Sequence, residues 1–516
     1  MPLLARLALA ALAGGVAAVG FEPYGLSYLL PVAVAAVTAL CRQVSLRTGF
    51  LAGWVFGLAF MLALLPWLQV IGVDAWIMLS IFEALFYGIL GLGTTILTRL
   101  PAWPLWVATL WVAVEALRSH VPFGGFPWGR LAFATVDTPV APLFAYVGTA
   151  GVTFAVALVG TTLAWALLEL RRTPGRALVA VAGACLLASA GSVLPLDAPA
   201  RAGEGSGVTV AAVQGDVPGV GMSAFSERRA VLNNHVSATK ELARRLDSTG
   251  ERRPDLVIWP ENSTDINPFA DPSVYADIQD AVDAVGVPVL VGAMVDGDEP
   301  DEVFNQGIVW HPGSGPGERY SKNHPVPFGE YIPFRDFIAK FFTRLDQIPR
   351  DMVPGTEAGL LDMGGTTVGD VICFEVAYDG LVRDVVKEGA DLVVVQTNNA
   401  TYMGTGQIEQ QFAIARLRAI ETDRYVVVAA TNGVSGIISP NGDVVERAAT
   451  RTQDVLRASV QLPGGVTTGV RIGAWVEALL TLVAAVSVSL ALGLHYRRRR
   501  SAAQERQPVL TSMGEA

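Results

Sequence analysis

The segment GDVICFEVAYDG, residues 369–380, ends an apolar, β-rich run with a cysteine and has a glutamate two positions later. Cys373 is one of only three cysteines in 516 residues, and the other two, Cys41 and Cys185, lie at or inside long apolar runs. Cys373 therefore has no disulfide partner in its own part of the chain. An isolated cysteine is more often a small buried hydrophobe than a reactive group. Its role therefore depends on the residues that accompany it.

The composition indicates membrane spans. The chain is 52% hydrophobic and 16% charged, with a mean hydropathy of +0.43, which is rare for a soluble protein of this length. Apolar runs fill residues 1–200, a polar segment of about 260 residues follows, and one more apolar run comes near the end. We predict eight spans, at residues 3–20, 26–41, 50–70, 74–97, 103–117, 144–168, 177–195 and 473–494.

This distribution predicts four parts of the chain. They are a membrane domain with seven transmembrane helices at 1–200, a polar domain at 207–465, a closing transmembrane helix at 472–495 and a basic tail at 496–516. The positive-inside rule sets their orientation, because the basic residues of short loops fall on one side if the spans alternate. These residues are Arg42, Arg47, Arg99, Arg171, Arg172, Arg176 and Arg497 to Arg500. We expect both termini in the cytoplasm and the polar domain outside it. Further spans follow the first apolar run at once, which favours a retained helix over a cleaved signal peptide.

The polar domain alternates strand and helix patterns. Continuous apolar runs predict buried strands in VTVAAVQGD (208–216), PDLVIWPEN (254–262), VPVLVGAM (287–294) and DLVVVQTNN (391–399). Helical spacing predicts helices at 225–247 and 407–424. Strands that are apolar along their whole length are covered on both faces, so we predict a layered α/β sandwich.

Three chemically useful side chains follow predicted strands. Glu261 comes after DLVIWP, Lys322 after ERYS and Cys373 after GDVI. Strand ends of an α/β sheet are where a rigid scaffold presents side chains to a ligand. A thiol needs a base to become a nucleophile, and a tetrahedral oxyanion needs a positive donor. The three residue types therefore suit nucleophilic catalysis on an acyl group.

The residues around these three positions resemble a known superfamily. WPEN (259–262), YSKNHPVPFGEYIP (320–333) and ICFE (372–375) are similar to the three motif regions of the nitrilase superfamily. Lys-Asn-His followed by Pro-Phe-Gly-Glu resembles the membrane branch of that superfamily, the apolipoprotein N-acyltransferase family. The resemblance covers nearly the whole chain, including VPFGGFPWGRLAFA (121–134) and the closing span. It implies that the polar domain is an extracytoplasmic nitrilase-like αββα sandwich.

The resemblance also implies roles for individual residues. Glu261 would be the general base, Lys322 the oxyanion stabiliser and Cys373 the nucleophile. Glu330 and Glu375 would be supporting carboxylates in the pocket, beside Phe374, where a tyrosine is common in the family. Cys373 would take a fatty acyl chain from a membrane phospholipid as a thioester. The α-amino group of the diacylglyceryl-cysteine of an apolipoprotein would then receive that chain, at a bacterial cytoplasmic membrane and without a metal or other cofactor.

Two other functions use the same residues or the same spans. The first is a membrane-tethered amidase whose thioester is hydrolysed by water, although a hydrolase of small amides needs no eight-span platform. The second is a transporter or lipid-binding scaffold. The presence of all three reactive side chains argues against this second alternative. The net charge of −10 argues against nucleic acid as a partner, because a protein that binds nucleic acid needs a basic surface. Residues 398–404, NNATYMG, depart from the family pattern Asn-Asp-Ala-Trp-Phe-Gly, which bears on substrate fit.

Three further features have open roles. Aromatic and aliphatic residues recur at helical spacing over 334–345, so this arm either lies at the membrane interface near the pocket or packs on the domain core. Glu83 and Glu115 lie inside predicted spans, where we expect them to join helices. His324 belongs to the Lys-Asn-His motif and is expected to be structural.

Overall fold

The computed structural model describes residues 1–194, 207–218, 228–338, 340, 345, 348–462 and 464–504. Much of the predicted arm, including 341–344, and the last part of the basic tail, 505–516, therefore lie outside the described residues.

Every predicted span coincides with a helix. The helices are α1 (Leu3–Ala18), α2 (Leu30–Cys41), α3 (Leu46–Leu64), α4 (Val73–Leu97), α5 (Trp103–His120), α6 (Phe144–Glu169), α7 (Pro174–Ala188) and, at the other end of the chain, α13 (Thr468–Gln504). Within the described residues, four stretches are long and apolar enough to cross a membrane: Leu46–Leu64, Val73–Leu97, Ala141–Glu169 and Thr468–His495. Others are shorter; α1 has 16 residues and rises about 24 Å, less than the ~30 Å hydrocarbon core. The chain thus has apolar helices suited to a membrane, but the count of eight spans is not confirmed.

The boundaries of α3 differ from the predicted span at 50–70 for a local reason. Ser45 caps the helix, its hydroxyl accepting a hydrogen bond from the Thr48 backbone N–H at 3.1 Å, so that α3 begins at Leu46. The helix ends at Leu64, and Pro66 begins a separate 3-10 turn, Pro66–Val70. Proline provides no backbone N–H to continue a helix.

Small residues bring α3 and α4 into close contact. A Cβ atom added at Gly53 would lie 2.2 Å from the Tyr87 carbonyl oxygen, and one added at Gly91 would lie 2.3 Å from the Gly49 carbonyl oxygen. Only glycine permits this approach, and such small-residue contacts are typical of helices that associate within a membrane.

Glu83 and Glu115, which lie inside predicted spans, join helices, as expected. Arg118 of α5 donates to Glu83 of α4 at 3.1 Å, and both side chains are buried. Glu115 accepts from the Thr153 hydroxyl of α6 at 2.8 Å and from the Leu131 backbone N–H at 2.9 Å. These partners offset the cost of placing charge among apolar helices.

Two sheets form the polar domain. The first has the order β13-β1-β2-β3-β4-β5, with β6 paired to β4, and the second has the order β12-β11-β10-β9-β8-β7. The first sheet contains β1 (Gly207–Gln214), β2 (Leu256–Ile258), β3 (Val289–Asp296), β4 (Glu302–His311), β5 (Gly315–Ser321), β6 (Asp351–Met352) and β13 (Asp454–Gln461). The second contains β7 (Leu360–Asp362), β8 (Thr367–Ile372), β9 (Leu392–Thr397), β10 (Val426–Ala430), β11 (Gly436–Ile438) and β12 (Val444–Arg447). Each sheet has three parallel strands at its centre, β1-β2-β3 and β8-β9-β10.

The sheets pack face to face between two helical layers. Apolar side chains from both sheets, such as Ile258, Leu290, Val368 and Val394, form one buried cluster between them. The remaining helices are α8 (Arg228–Thr249), α9 (Pro272–Val285), α10 (Arg335–Ile338), α11 (Asp379–Lys387) and α12 (Gln407–Thr422). The first sheet packs on α8 and α9, whereas the second sheet, with α11 and α12, shares a continuous core with the apolar helices. The predicted αββα sandwich is therefore confirmed, and one of its helical layers rests on the apolar helices.

Candidate active site

Three strand ends bring the predicted reactive residues together. Glu261 lies just after β2, Lys322 directly after β5 and Cys373 directly after β8. Strands β2 and β5 belong to the first sheet and β8 to the second, so the site forms where the two facing sheets end. The charges of Glu261 and Lys322 both act on the Cys373 thiol.

Lys322 is fully buried between two carboxylates. Its Nζ atom donates to Glu261 Oε1 at 3.0 Å and to Glu330 Oε1 at 2.6 Å. Burial disfavours the charged ammonium, but Glu261 and Glu330 outweigh it and hold the pKa of Lys322 well above its usual value. The site therefore keeps a fixed positive charge.

Glu261 has a second set of donors. Asn305 Nδ2 donates to Glu261 Oε1 at 2.7 Å, and the Asn398 backbone N–H donates to Oε2 at 2.8 Å. With Lys322 these contacts fix the carboxylate from three strands. The sequence-based interpretation missed Asn305 and the Asn398 backbone, although polar residues in the strand segments VFNQGIVW and VVVQTNN were a usable signal.

Cys373 occupies a strained turn. It has φ +56, in the left-handed region that residues with a side chain rarely adopt, and it begins a 3-10 turn, Cys373–Ala377. The side chain is half-buried, and the Thr397 hydroxyl donates to its Sγ at 3.3 Å. Burial and the Glu261 carboxylate raise the pKa of the Cys373 thiol to about 12, although Lys322 acts in the opposite direction. The sulfur is therefore protonated at neutral pH and needs an adjacent base to react.

Glu375 fastens two segments to each other. One of its oxygens accepts from the backbone N–H groups of Asn323 at 2.7 Å and His324 at 2.9 Å, and the other accepts from the Ile372 N–H at 2.8 Å. The Tyr320 hydroxyl donates to the same carboxylate at 3.0 Å. Glu375 is fully buried, so it positions the Lys322 segment against the Cys373 turn rather than facing a substrate.

Glu330 acts on Lys322 directly. While Oε1 contacts the ammonium, Oε2 accepts from the Val326 backbone N–H at 2.7 Å, which fixes the loop between the two residues. Burial, with the charge of Glu261, raises the pKa of Glu330, and Lys322 opposes that shift.

Phe374 connects the site to the loop at 121–134. Its ring stacks on Trp128, with 5.5 Å between centroids and 9° between planes, and on Phe126 at 5.8 Å and 19°. Trp128 is anchored in turn by donating from Nε1 to Gln410 Oε1 at 2.7 Å. Phe126 and Trp128, from the loop between α5 and α6, thus lie beside Phe374, the residue that follows Cys373.

The segment that departs from the family pattern lies between the site and the helices. Its Tyr402 ring packs edge-on against Trp67, 5.3 Å away. His324 contacts the Tyr378 ring at 4.4 Å and donates its backbone N–H to Glu375, which agrees with a structural role. Among the residues that the structure describes, no group of three or more His, Cys, Asp or Glu side chains could hold a metal ion.

The αββα sandwich thus brings a buried glutamate, a buried lysine and a half-buried cysteine together at its strand ends, a set of side chains suited to enzymes that act on acyl groups. Two family models match the chain. Residues 13–162 match the apolipoprotein N-acyltransferase N-terminal domain, and residues 209–468 match carbon-nitrogen hydrolase.

Individual proteins of known name are also similar to this chain. A protein of Mycolicibacterium smegmatis named apolipoprotein N-acyltransferase is 39% identical over 95% of this chain and 85% of its own length. A protein of the same name from Photobacterium profundum is 26% identical over 98% of both chains. A solved amidase of the nitrilase superfamily from Nesterenkonia covers 52% of this chain and 95% of its own, with 16% identity and a TM-score of 0.38.

The chain belongs to the apolipoprotein N-acyltransferase family. It is an acyltransferase of the carbon-nitrogen hydrolase superfamily, and the reaction of its family is the N-acylation of lipoproteins. Its apolar helices and its relatives are those of a bacterial membrane protein.

Proposed function

We propose that the protein transfers a fatty acyl chain from a membrane phospholipid to the N-terminal diacylglyceryl-cysteine of an apolipoprotein, through a thioester on Cys373. The observation that carries the proposal is the convergence of Glu261, Lys322 and Cys373 at the strand ends, with Glu261 and Lys322 in direct contact at 3.0 Å. An acyl donor in a bilayer also accounts for a sandwich that shares its core with apolar helices.

The first half-reaction forms the thioester. Glu261 takes the proton of the Cys373 thiol as the sulfur attacks the ester carbonyl carbon, and the carbonyl oxygen becomes an oxyanion. The Lys322 ammonium, held by Glu261 and Glu330, is placed to stabilise that oxyanion. When the intermediate collapses, the C–O bond breaks and the lysophospholipid alcohol leaves with the proton from Glu261.

The second half-reaction forms the amide. The neutral α-amino group of the acceptor attacks the thioester carbonyl and gives a proton to Glu261. The C–S bond then breaks, and the Cys373 sulfur recovers the proton. The thiol pKa of about 12 makes a free thiolate costly, so proton transfer to and from Glu261 accompanies each step.

Glu330, Glu375 and Phe374 support these steps from outside the reacting atoms. Glu330 orients Lys322, and Glu375 fixes the Lys322 segment relative to the Cys373 turn. The stack of Phe374 on Trp128 gives the apolar wall that an acyl chain requires.

The proposal extends to the membrane setting. The protein would cross the bacterial cytoplasmic membrane eight times, with seven helices in 1–200 and one at 472–495. The catalytic domain, 207–465, would face the extracytoplasmic side, and the basic tail, 496–516, the cytoplasm. Basic residues concentrated in one set of loops support this orientation.

Exposed aromatic residues support access from the outer leaflet. Phe123, from the loop at 121–134, contacts Phe328 at 6.3 Å and Phe334 at 6.0 Å, and all three rings are exposed. We call these three residues the aromatic rim. It joins the loop of the helices to the loop that carries Glu330, so it suits the membrane-water interface beside the pocket.

The test is mass spectrometry of the intact protein and of its peptides. The purified full-length protein is first incubated with vesicles of a single dipalmitoyl phospholipid. We expect an added palmitoyl mass on the peptide containing Cys373, removed by hydroxylamine and absent from Cys373→Ala. Peptides containing Cys41 and Cys185 are internal controls.

A synthetic diacylated lipopeptide then separates transfer from hydrolysis. Transfer predicts that the lipopeptide clears the adduct and gains an acyl group resistant to hydroxylamine. Decay of the adduct to free fatty acid alone would instead assign the amidase-like alternative. Conversion of the lipopeptide by Cys373→Ala would overturn the thioester route.

A further inference from the structure

Thr397, at the end of β9, contacts the sulfur of the proposed nucleophile. Its hydroxyl lies 3.3 Å from Cys373 Sγ and 3.3 Å from Asn399 Oδ1. The Thr397 side chain is buried, with 1% exposure, so water does not compete for this hydroxyl. No role for Thr397 follows from the sequence motifs.

A neighbouring amide restricts the direction of the Thr397 hydroxyl. Gln411 Nε2, from α12, donates to Thr397 Oγ1 at 3.0 Å. Gln411 Oε1 accepts from Asn399 Nδ2 at 3.0 Å and from Gln407 Nε2 at 2.7 Å, so the orientation of the Gln411 amide is set together with those of Asn399 and Gln407. A flipped Gln411 amide would set N–H groups against N–H groups. Thr397 Oγ1 is therefore an acceptor toward Gln411, and its single proton is left for Cys373 or Asn399.

The two distances favour the sulfur. An O–H···O bond is normally 2.5–3.0 Å long, so the 3.3 Å separation from Asn399 Oδ1 is a long contact. Sulfur has a larger radius than oxygen, and the same 3.3 Å to Cys373 Sγ is a short contact. The hydroxyl proton is therefore directed at Sγ.

We propose that Thr397 is a further catalytic residue, which donates a hydrogen bond to the Cys373 sulfur, and that Gln411 is the positioning residue that directs it. The sulfur gains negative charge when it attacks the ester and again when it leaves the thioester, so the same bond stabilises both steps. No atom is exchanged: Thr397 keeps its proton, and the thiol proton passes to Glu261. The inference rests on the proposed function in taking Cys373 as the nucleophile.

The network behind the sulfur suits this role because it is uncharged and buried. Asn399, Gln407 and Gln411 are buried and hydrogen-bonded to one another. Hydrogen bonds within a buried polar network are strengthened by the low local dielectric, and they hold its donors in fixed directions. Asn399 is one of the residues at which the chain departs from the family pattern, so a neutral amide here replaces a carboxylate.

The test is the rate at which iodoacetamide alkylates Cys373 in the full-length protein, followed by peptide mass between pH 7 and 9. Cys185 is exposed and lies outside the site, so a Cys185→Ser background removes its signal. Thr397→Val keeps the shape of the side chain and removes the hydroxyl. One lost hydrogen bond to a charged group raises a thiol pKa by about one unit. The thiolate fraction then falls about tenfold, the more basic sulfur reacts about threefold faster, and alkylation slows about threefold to fourfold.

Two companion variants separate this role from packing. Thr397→Ser keeps the hydroxyl and is expected to restore most of the alkylation rate. Gln411→Leu removes the hydrogen bond that orients the Thr397 hydroxyl and leaves Cys373 unchanged. Its alkylation rate is expected to lie between those of the parent and Thr397→Val. If Thr397→Val does not fold, Gln411→Leu decides the question.

The outcomes distinguish this inference from the proposed function. Alkylation needs neither phospholipid nor lipopeptide. Slower alkylation in Thr397→Val, with restoration in Thr397→Ser, supports the hydrogen bond even if the mass assay detects no acyl transfer. Alkylation of folded Thr397→Val or Gln411→Leu at the parental rate overturns the inference, even if acyl transfer to Cys373 is observed.

Discussion

Arg130, from the loop between α5 and α6, donates to the Asp379 carboxylate at 2.9 Å. Asp379 lies six residues after Cys373 in the sequence. Asp379 also accepts from the Arg418 guanidinium at 2.8 Å and the Thr149 hydroxyl at 2.9 Å. Arg418 in turn donates to the backbone carbonyls of Val376 at 2.8 Å and Ala377 at 3.1 Å. The turn that presents the cysteine is thus tied to the apolar helices by a buried ionic network.

Replacing Asp379 with Asn should destabilise the protein. Although burial favours the neutral acid, Arg130, Arg418 and Arg383 hold the pKa of Asp379 far below its usual range. Loss of the charge leaves three buried guanidinium groups with less compensation, which costs about 3 to 5 kcal/mol. Thermal unfolding should show a clearly lower melting temperature. Asp384→Asn, an exposed change on the same helix, should have little effect, and equal melting of the two variants would contradict the network's importance.

Replacing Lys322 with Met should slow formation of the acyl-enzyme by about 10²- to 10³-fold, because the oxyanion loses its positive donor. The change also leaves Glu261 and Glu330 facing each other without a cation. Adding Glu330→Gln to Lys322→Met should therefore recover stability but not the rate of acylation. Single-turnover mass measurements and melting curves provide the two readings, and Lys387→Met is a half-exposed control. Recovery of the rate by the double variant would exclude the ammonium as the essential group.

Asp370 should make the protein less stable as the pH rises. It is buried on β8, and in the described part of the chain its carboxyl oxygens have no partner beyond a weak contact with the Val371 backbone N–H. Burial and the charges of Glu375 and Glu261 raise its pKa well above the usual value. The folded state therefore favours the neutral acid. Its contribution to stability is full below pH ~3.9, the usual pKa of an aspartate, and is lost as the pH rises toward the folded-state pKa.

Asp370→Asn mimics the neutral acid and tests this expectation. Its melting temperature should exceed that of the parent at pH 7, and the difference should shrink as the pH falls below ~4, where the parental carboxyl becomes protonated in both states. A variant less stable than the parent at pH 7 to 8 would mean that the ionised carboxylate has a stabilising partner.

Phe334→Asp tests the aromatic rim. Phe334 is 73% exposed, so the fold should survive the change. If the ring inserts at the membrane surface, its loss removes about 1.5 to 3 kcal/mol of apolar burial, and acylation from dilute vesicles should fall about tenfold or more. Acylation from phospholipid in detergent micelles should change much less.

The matched control for Phe334→Asp is Phe269→Asp. Phe269 is also exposed, but its ring lies against Arg319 rather than in the rim. Equal loss in the two variants on vesicles would argue against a membrane contact of the rim. Unfolding of Phe334→Asp would assign the arm to the domain core.

The local sequence pattern was sufficient to predict most of the helices and strands of this protein. Apolar runs fixed where the helices lie, because a segment's hydrophobicity depends only on its own residues. Strands were predicted before Glu261, Lys322 and Cys373, and these residues do meet where those strands end. The layered α/β sandwich followed from strands that are apolar on both faces, and the resemblance to the nitrilase superfamily implied its αββα order.

Contacts between distant segments required the tertiary structure. The strand order places β9 beside β8, which brings the Thr397 hydroxyl to the Cys373 sulfur. Packing of the helices on the second sheet stacks Trp128 on Phe374 and joins Arg130 to Asp379. Glu375, predicted as a supporting carboxylate, is enclosed by donors from two segments. Residues determine their own element through local periodicity, but the partner of a buried polar group depends on register and lateral packing, which a linear sequence does not display.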